Sequence, residues 1–282
     1  MTAAGLLPVP ESLAARLSRS PLVLMLDVDG TLAPIVARPQ DAAVPPETRR
    51  VVAALAAIPS VRVALVSGRA AADARHMVGV ANVWVIGNHG FEILGPDGEE
   101  REQPGASASR SAVARAARTI EALVAHVPGV TLEDKGWTLS VHYRMADEHV
   151  VPRLIASVER AAEPLGLRVT TGKMVVEVRP NTRVDKGTAV LRLAGELGAL
   201  GTMGDAPEDG GVGGSRGAAG SAVFIGDDTT DEDAFRALRA RSPEAVTVRV
   251  ARAEELATAA EFRVDDPAAV RMFLEWLLEQ RR

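Results

Sequence analysis

Residues 22–32 read Leu-Val-Leu-Met-Leu-Asp-Val-Asp-Gly-Thr-Leu: an unbroken apolar run that stops at Asp27, with a second carboxylate at Asp29 and a Gly and a Thr directly after it. Such a run fits a strand covered on both faces, as the strands of a parallel sheet are. Open parallel sheets place their chemistry just beyond the carboxyl ends of their strands, so two acids are delivered to that point. Carboxylates this close repel each other unless a cation lies between them. The segment therefore suggests a metal-dependent site with a carboxylate nucleophile.

The same form, an apolar run followed by small and polar residues, recurs at 61–69, 83–90 and 222–228. Stretches 47–58 and 70–78 carry apolar residues at helical spacing between the early runs. After Asp228 the pattern resumes with a helix over 231–239, a strand over 246–250 and a closing helix over 267–279. Strand alternating with helix implies βαβ units and a Rossmann-like parallel-sheet core in an α/β protein. The middle of the chain differs: a helix over 111–126, strands over 130–133 and 137–144, a helix over 150–163, and strands over 167–171 and 174–178. This α-β-β-α-β-β order predicts a small inserted α/β domain. The expected division is a discontinuous core of residues 1–107 and 181–282 and an insertion of residues 108–180. The glycine cluster within 201–221 lacks both G-x-G-x-x-G and G-x-x-x-x-G-K-[ST] and reads as a flexible surface insertion.

A formal net charge of −5 gives no basic surface for nucleic acid. The absence of cysteine excludes disulfides, thiolate catalysis and Cys-based zinc sites. The amino terminus shows no basic-then-apolar leader pattern, and no segment approaches the ~18 apolar residues of a membrane span. The expectation is a cytoplasmic protein without a nucleic-acid or membrane partner.

At the strand ends, residue chemistry suggests roles. Asp27 is the candidate nucleophile, able to attack a phosphoryl group, and Asp29 the candidate general acid and then base. Asp227 can complete an oxygen cage for Mg²⁺, which takes a few carboxylates plus water and phosphate. Thr31, Ser67 and the Gly68 amide can donate to phosphate oxygens. Lys186 stands where a helix begins, a position the macrodipole makes mildly unfavourable for a cation; neutralising phosphate and nucleophile explains it better. Asp228 is either a group supporting the metal or simply solvated. Asp231 and Asp233 open a helix in which Thr230-x-x-Asp233 resembles a capping box, so a capping and a supporting role both stand open.

The ordered set Asp27-x-Asp29-Gly-Thr, Ser67-Gly68, Lys186 and Gly226-Asp227-Asp228 resembles the haloacid-dehalogenase-like phosphohydrolase superfamily. The resemblance implies the roles just given, with Mg²⁺ held by the Asp27 side chain, the Asp29 backbone carbonyl and Asp227. It also implies that the insertion is a cap that selects the substrate.

In the insertion, period-two alternation puts Lys173, Glu177 and Arg179 on one strand face, and Met174, Val176 and Val178 on the other, toward helices. His142 and Arg144 share a face, with Lys135 just before them. An acid among several cations suits a hydroxyl-rich anion, although a solvated sheet face has the same pattern. Trp137 is read as a packing residue before a sugar-stacking one. The segments Glu-Asp-Lys-Gly…His-Tyr-Arg, Lys-x-Val-x-Glu-x-Arg-Pro, Gly-Asp-Asp-x-Thr-Asp-Glu and Gly87-Asn-His-Gly-Phe-Glu92 together resemble the trehalose-6-phosphate phosphatase family. That resemblance implies that Lys135, His142, Arg144, Lys173, Glu177 and Arg179 contact a disaccharide phosphate, with His89 and Glu92 near the cleft between cap and core. It also raises a trehalose-6-phosphate synthase as a partner. The rival readings are another sugar-phosphate phosphatase of the superfamily, such as one for sucrose 6-phosphate, a phosphomutase, or an inactive sugar-phosphate sensor.

Overall fold

A computed structural model of the chain describes residues 9, 11–36, 38, 41–101, 106–172, 174–182, 184–200, 220–252 and 257–282. It divides into two compact units, Met1–Arg101 with Val184–Arg282, and Glu102–Arg183. The chain begins with α1 (Glu11–Leu17), β1 (Leu22–Asp27), α2 (Pro46–Ala56), β2 (Val61–Val66), α3 (Ala71–Val78), β3 (Trp84–Gly87) and β4 (Glu92–Leu94). The second unit supplies α4 (Ala106–Val124), β5 (Thr131–Asp134), β6 (Leu139–His142), α5 (Val151–Ala162), β7 (Leu167–Gly172) and β8 (Val175–Pro180). The chain then returns with α6 (Lys186–Glu196), β9 (Ser221–Gly226), α7 (Asp231–Arg241), β10 (Val246–Val250), β11 (Phe262–Val264) and α8 (Pro267–Arg281).

The larger unit holds one sheet in the order β11-β10-β9-β1-β2-β3-β4, with β4 antiparallel to β3 and the other pairs parallel. All six residues of β1 and of β9 are buried, because both sheet faces are covered. Leu24 and Leu26 pack with Val52, Leu55, Ala74 and Phe273 on one side, and Val23 and Met25 with Val190, Leu193, Phe235 and Leu238 on the other. Burying each such side chain contributes about 1.5–3 kcal/mol, and two apolar layers are what an apolar run without alternation encodes. From β1 the chain steps outward through β2 and β3, and on its return it steps outward the other way from β9 through β10 to β11. The direction reverses beside the carboxyl end of β1, the place where open α/β sheets bind ligands.

The smaller unit is a four-stranded antiparallel sheet, β5-β6-β8-β7, backed by α4 and α5. Leu139, Val141, Val176 and Val178 face Val113, Ile120, Leu154 and Val158. Met174 does not join this layer as expected. It lies in the β7–β8 turn with φ 63° and is 47% exposed, because alternation starts only at Val175.

Three short elements exceed the sequence expectation: α1, β4 and β11. The strand of the third segment ends at Gly87, and its small and polar residues Asn88, His89 and Gly90 take φ values of 48°, 55° and 112° and turn the chain back into β4. The glycine-rich segment expected as a surface insertion and Lys173 fall outside the described residues. Among the described residues, no helix is long and apolar enough to cross a membrane.

Candidate active site

The site forms at the carboxyl end of β1. Asp27, its last residue, is 4% exposed. Lys186 opens α6, and Asp185 caps that helix: its carboxylate accepts the Thr188 amide at 2.7 Å, while the Thr188 hydroxyl accepts the Asp185 amide at 3.0 Å. This reciprocal box offsets what a cation loses at a helix amino terminus. Lys186 Nζ donates to Asp27 Oδ1 at 2.8 Å and to Asp231 Oδ1 at 2.7 Å, and all three side chains are buried. The other oxygen of Asp231 accepts the Asp228 amide at 2.9 Å. Asp231 thus stands in the site and organises the turn after β9. The expected Thr230–Asp233 capping box is not formed: Thr230 has helical φ and ψ of −69° and −20° and makes no side-chain cap bond. Asp228 organises the turn before the helix, accepting the Thr229 amide at 2.6 Å and the Thr229 and Thr230 hydroxyls at 3.1 and 3.3 Å.

Two glycines make room for the acids. Gly30 has φ +85°, and a Cβ there would lie 2.0 Å from Asp227 Oδ2. A Cβ at Gly226 would lie 2.4 Å from the Asp231 carboxyl carbon. The Gly after the paired acids and the Gly before Asp227 are therefore spatial requirements of the cluster.

Asp27, Asp227 and Asp231 each bring a carboxylate oxygen within 4.8 Å of the others'. Asp27 Oδ2, Asp227 Oδ1 and Thr31 Oγ1 are buried without a hydrogen-bond partner among the described residues. Three carboxylates against one ammonium leave two negative charges in a buried space. Burial pushes Asp27 well above the usual carboxylate range; the ammonium of Lys186 opposes that shift, while Asp231 and Asp227 add to it. Burial, then the charges of Asp231 and Asp228, push Asp227 up to about 7. For Lys186, burial acts downward, but Asp231 and Asp27 outweigh it and hold the amine protonated. Burial also acts upward on Asp228, but the Thr229 amide, Lys186 and the two threonine hydroxyls outweigh it and lower its carboxyl. An all-oxygen donor set with uncompensated charge and unpartnered oxygens fits a hard divalent cation.

Asp29, two residues beyond Asp27, is paired with Arg69, whose Nε and one terminal nitrogen donate to its two oxygens at 2.7 and 2.6 Å. Ser67 directly follows β2 and is 1% exposed. Its hydroxyl accepts the Arg69 amide at 3.1 Å. Gly68 gives way to the His89 ring, which a Cβ there would approach to 2.6 Å. Glu92 accepts the Ala71 amide at 2.6 Å and thereby caps α3, whose own cap residue, Ala70, has no side chain for the purpose.

In the smaller unit, the face of the sheet away from its helices carries Glu133, Ser140, Glu177 and Thr170 in one cross-strand row. The Ser140 hydroxyl donates to Glu177 at 2.8 Å, and His142 Nε2 lies 2.9 Å from Glu133. Lys135 Nζ stands 3.8 Å from Glu133, and Arg179 donates to the Thr170 hydroxyl at 3.1 Å. Arg144 is exposed beyond the end of β6. Trp137 is 5% exposed beneath the Arg110 guanidinium, 5.1 Å from its ring, and packs the fold. Arg69, Glu133 and Ser140 were not singled out from the sequence. Arg69 had a signal in Ser-Gly-Arg, and Glu133 lies two residues before Lys135, but Ser140 becomes visible only through strand register.

The trehalose-phosphatase family profile matches residues 25–268. A trehalose-phosphate phosphatase of Mycobacterium avium is 37% identical over 268 residues, covering 93% of this chain and 63% of that protein. A Mycobacterium tuberculosis protein described as an uncharacterized glycosyl hydrolase is 38% identical over 259 residues, 92% of this chain and 18% of its own length. The chain thus spans less than two thirds of the length of both relatives. The C-terminal domain of a C. albicans trehalose-6-phosphate phosphatase shares the architecture at 25% identity and a TM-score of 0.73, covering 99% of each chain. Matched from the strand that delivers the first acid through the strand that delivers the last, the chain belongs to the trehalose-phosphatase family.

Proposed function

We propose that the protein is a Mg²⁺-dependent phosphatase that converts trehalose 6-phosphate and water to trehalose and phosphate. The observation that carries this reading is the charge imbalance at β1: two buried carboxylates and a half-buried one, a single ammonium, and unpartnered oxygens on Asp27 and Asp227. The larger unit is read as the catalytic core and the smaller one as the cap that selects the substrate.

The Asp27 and Asp227 side chains, with the Asp29 carbonyl, would hold the cation, which supplies charge neutralisation at the phosphoryl oxygens. Asp27 attacks phosphorus, forming an aspartyl-phosphate as the bond to the sugar oxygen breaks, and Asp29 gives that oxygen its proton. Asp29 then takes a proton from water as the water oxygen attacks phosphorus, and the Asp27 carboxylate leaves. Lys186 holds Asp27 in place and, with Thr31, Ser67 and the Gly68 amide, answers charge developing on the phosphoryl group. In the cap, Glu177 accepts from sugar hydroxyls, while Lys135, His142, Arg144, Lys173 and Arg179 supply donors. His89 stays with the ligand-facing set; Glu92 is engaged as a helix cap.

Phosphate release from trehalose 6-phosphate, measured against a panel that includes sucrose 6-phosphate, tests the reading. Preference for trehalose 6-phosphate, silenced by EDTA and restored by Mg²⁺, is expected. A flat panel would remove the substrate assignment, and indifference to EDTA the metal. Glu177→Ala is expected to depress trehalose 6-phosphate turnover more than turnover of a small aryl phosphate; equal losses would remove Glu177 from sugar recognition.

A further inference from the structure

We infer that Arg69 is a positioning residue for Asp29, fixing the side chain that, in its protonated form, passes a proton to the leaving alcohol; this rests on the reading of Asp29 as the general acid. Two parallel bonds of 2.7 and 2.6 Å from one planar guanidinium set both the place and the plane of the carboxylate. Arg69 is itself anchored at both backbone ends. Its amide donates to Ser67 Oγ at 3.1 Å, and its carbonyl accepts the Asn88 amide at 2.7 Å. One residue thereby ties the turns after β1, β2 and β3 together.

Stability does not account for this pair. The Arg69 and Asp29 side chains are 22% and 41% exposed, and ion pairs that meet solvent contribute little to folding. The two bonds that hold the buried triad run from Lys186 to Asp27 and to Asp231, and neither involves Arg69. What the fork does is remove rotational freedom from a side chain whose task, if it is the acid, depends on direction. During transfer Arg69 exchanges no atom or proton: the bond from phosphorus to the leaving oxygen breaks, the bond from Asp27 to phosphorus forms, and the proton moves from Asp29 to the leaving oxygen.

Aryl phosphates separate this from any question of sugar preference. With Mg²⁺ present, kcat/KM is measured for phenyl phosphate, whose leaving group needs a proton, and for para-nitrophenyl phosphate, whose leaving group departs as an anion. Arg69→Ala is expected to lower the phenyl phosphate value about tenfold to a hundredfold and the para-nitrophenyl value less than about threefold. Arg69→Lys keeps the charge without the fork and should fall between; it carries the test if the alanine variant does not fold. In an Asp29→Asn background, the Arg69 substitution should add no further loss. Equal losses on both esters, or an Arg69 effect that persists undiminished in Asp29→Asn, would overturn the inference. If Asp29→Asn alone shows no leaving-group dependence, the acid assignment falls and takes the inference with it.

Discussion

Lys186 shows how one buried residue can be costly alone and stabilising in company. Its ammonium is 3% exposed and would be driven toward neutrality but for the oxygens of Asp27 and Asp231. Replacing it leaves two buried carboxylates without their cation, a change that costs about 3–5 kcal/mol. Lys186→Met should therefore lower the unfolding free energy of the metal-free protein, read from a urea titration, by an amount in that range and abolish turnover. Asp27→Asn should also abolish turnover but with the other effect on folding, since it removes a charge that burial already disfavours. A thermal melt of metal-free Asp27→Asn is expected at or above the wild-type temperature; a clear drop would mean that the bond to Lys186 outweighs the desolvation.

At the level of elements, the strand ends work because neighbouring loops lack side chains at chosen points. Gly30 has a backbone conformation that side chains disfavour, and the space over it belongs to Asp227. Gly30→Ala meets both obstacles. It should cost about 1 kcal/mol or more in stability from the positive φ and should displace Asp227. Isothermal titration is expected to show weakened Mg²⁺ binding in this variant, whereas Gly136→Ala, which has positive φ but open space around it, should leave Mg²⁺ binding unchanged. The helices show the same economy: Glu92 reaches from β4 to the amide at the start of α3, where Ala70 has no capping group. Glu92→Ala should destabilise the protein by about 0.5–2 kcal/mol, read from a denaturant melt.

Over the whole molecule, the acid cluster links stability to pH and to cation. Asp227 has an ordinary value of 3.8 and is raised to about 7, and Asp27 shifts in the same direction. Between those values the folded metal-free protein binds more protons than the unfolded chain, so its stability falls as pH rises from about 4 to about 7. A divalent cation competes with those protons. Mg²⁺ should therefore raise the melting temperature strongly at about pH 8 and only weakly at about pH 5. A metal effect independent of pH would show that the cation does not compete with protons at these carboxylates.

The α/β class and the mostly parallel sheet were legible in the chain because burial on two faces imposes an apolar run, and helices between the runs impose parallel connections. Short pieces were not: β4 has three residues and depends on a left-handed turn at Asn88 and His89 that no periodicity announces. The acids and the lysine were also visible, since strand ends and a helix start are local features. What the sequence could not say is how they pair. Asp231 read equally well as a helix cap until the fold set it 2.7 Å from Lys186, and Asp29 gave no sign that Arg69 holds it from forty residues away. Propensity and patterning act over a few neighbouring residues, whereas an ion pair or a missing Cβ is a fact about distance in space. The chain by itself determined which strands carry charged tips; only the tertiary structure, by reversing strand order beside β1, decided which charges share one buried volume.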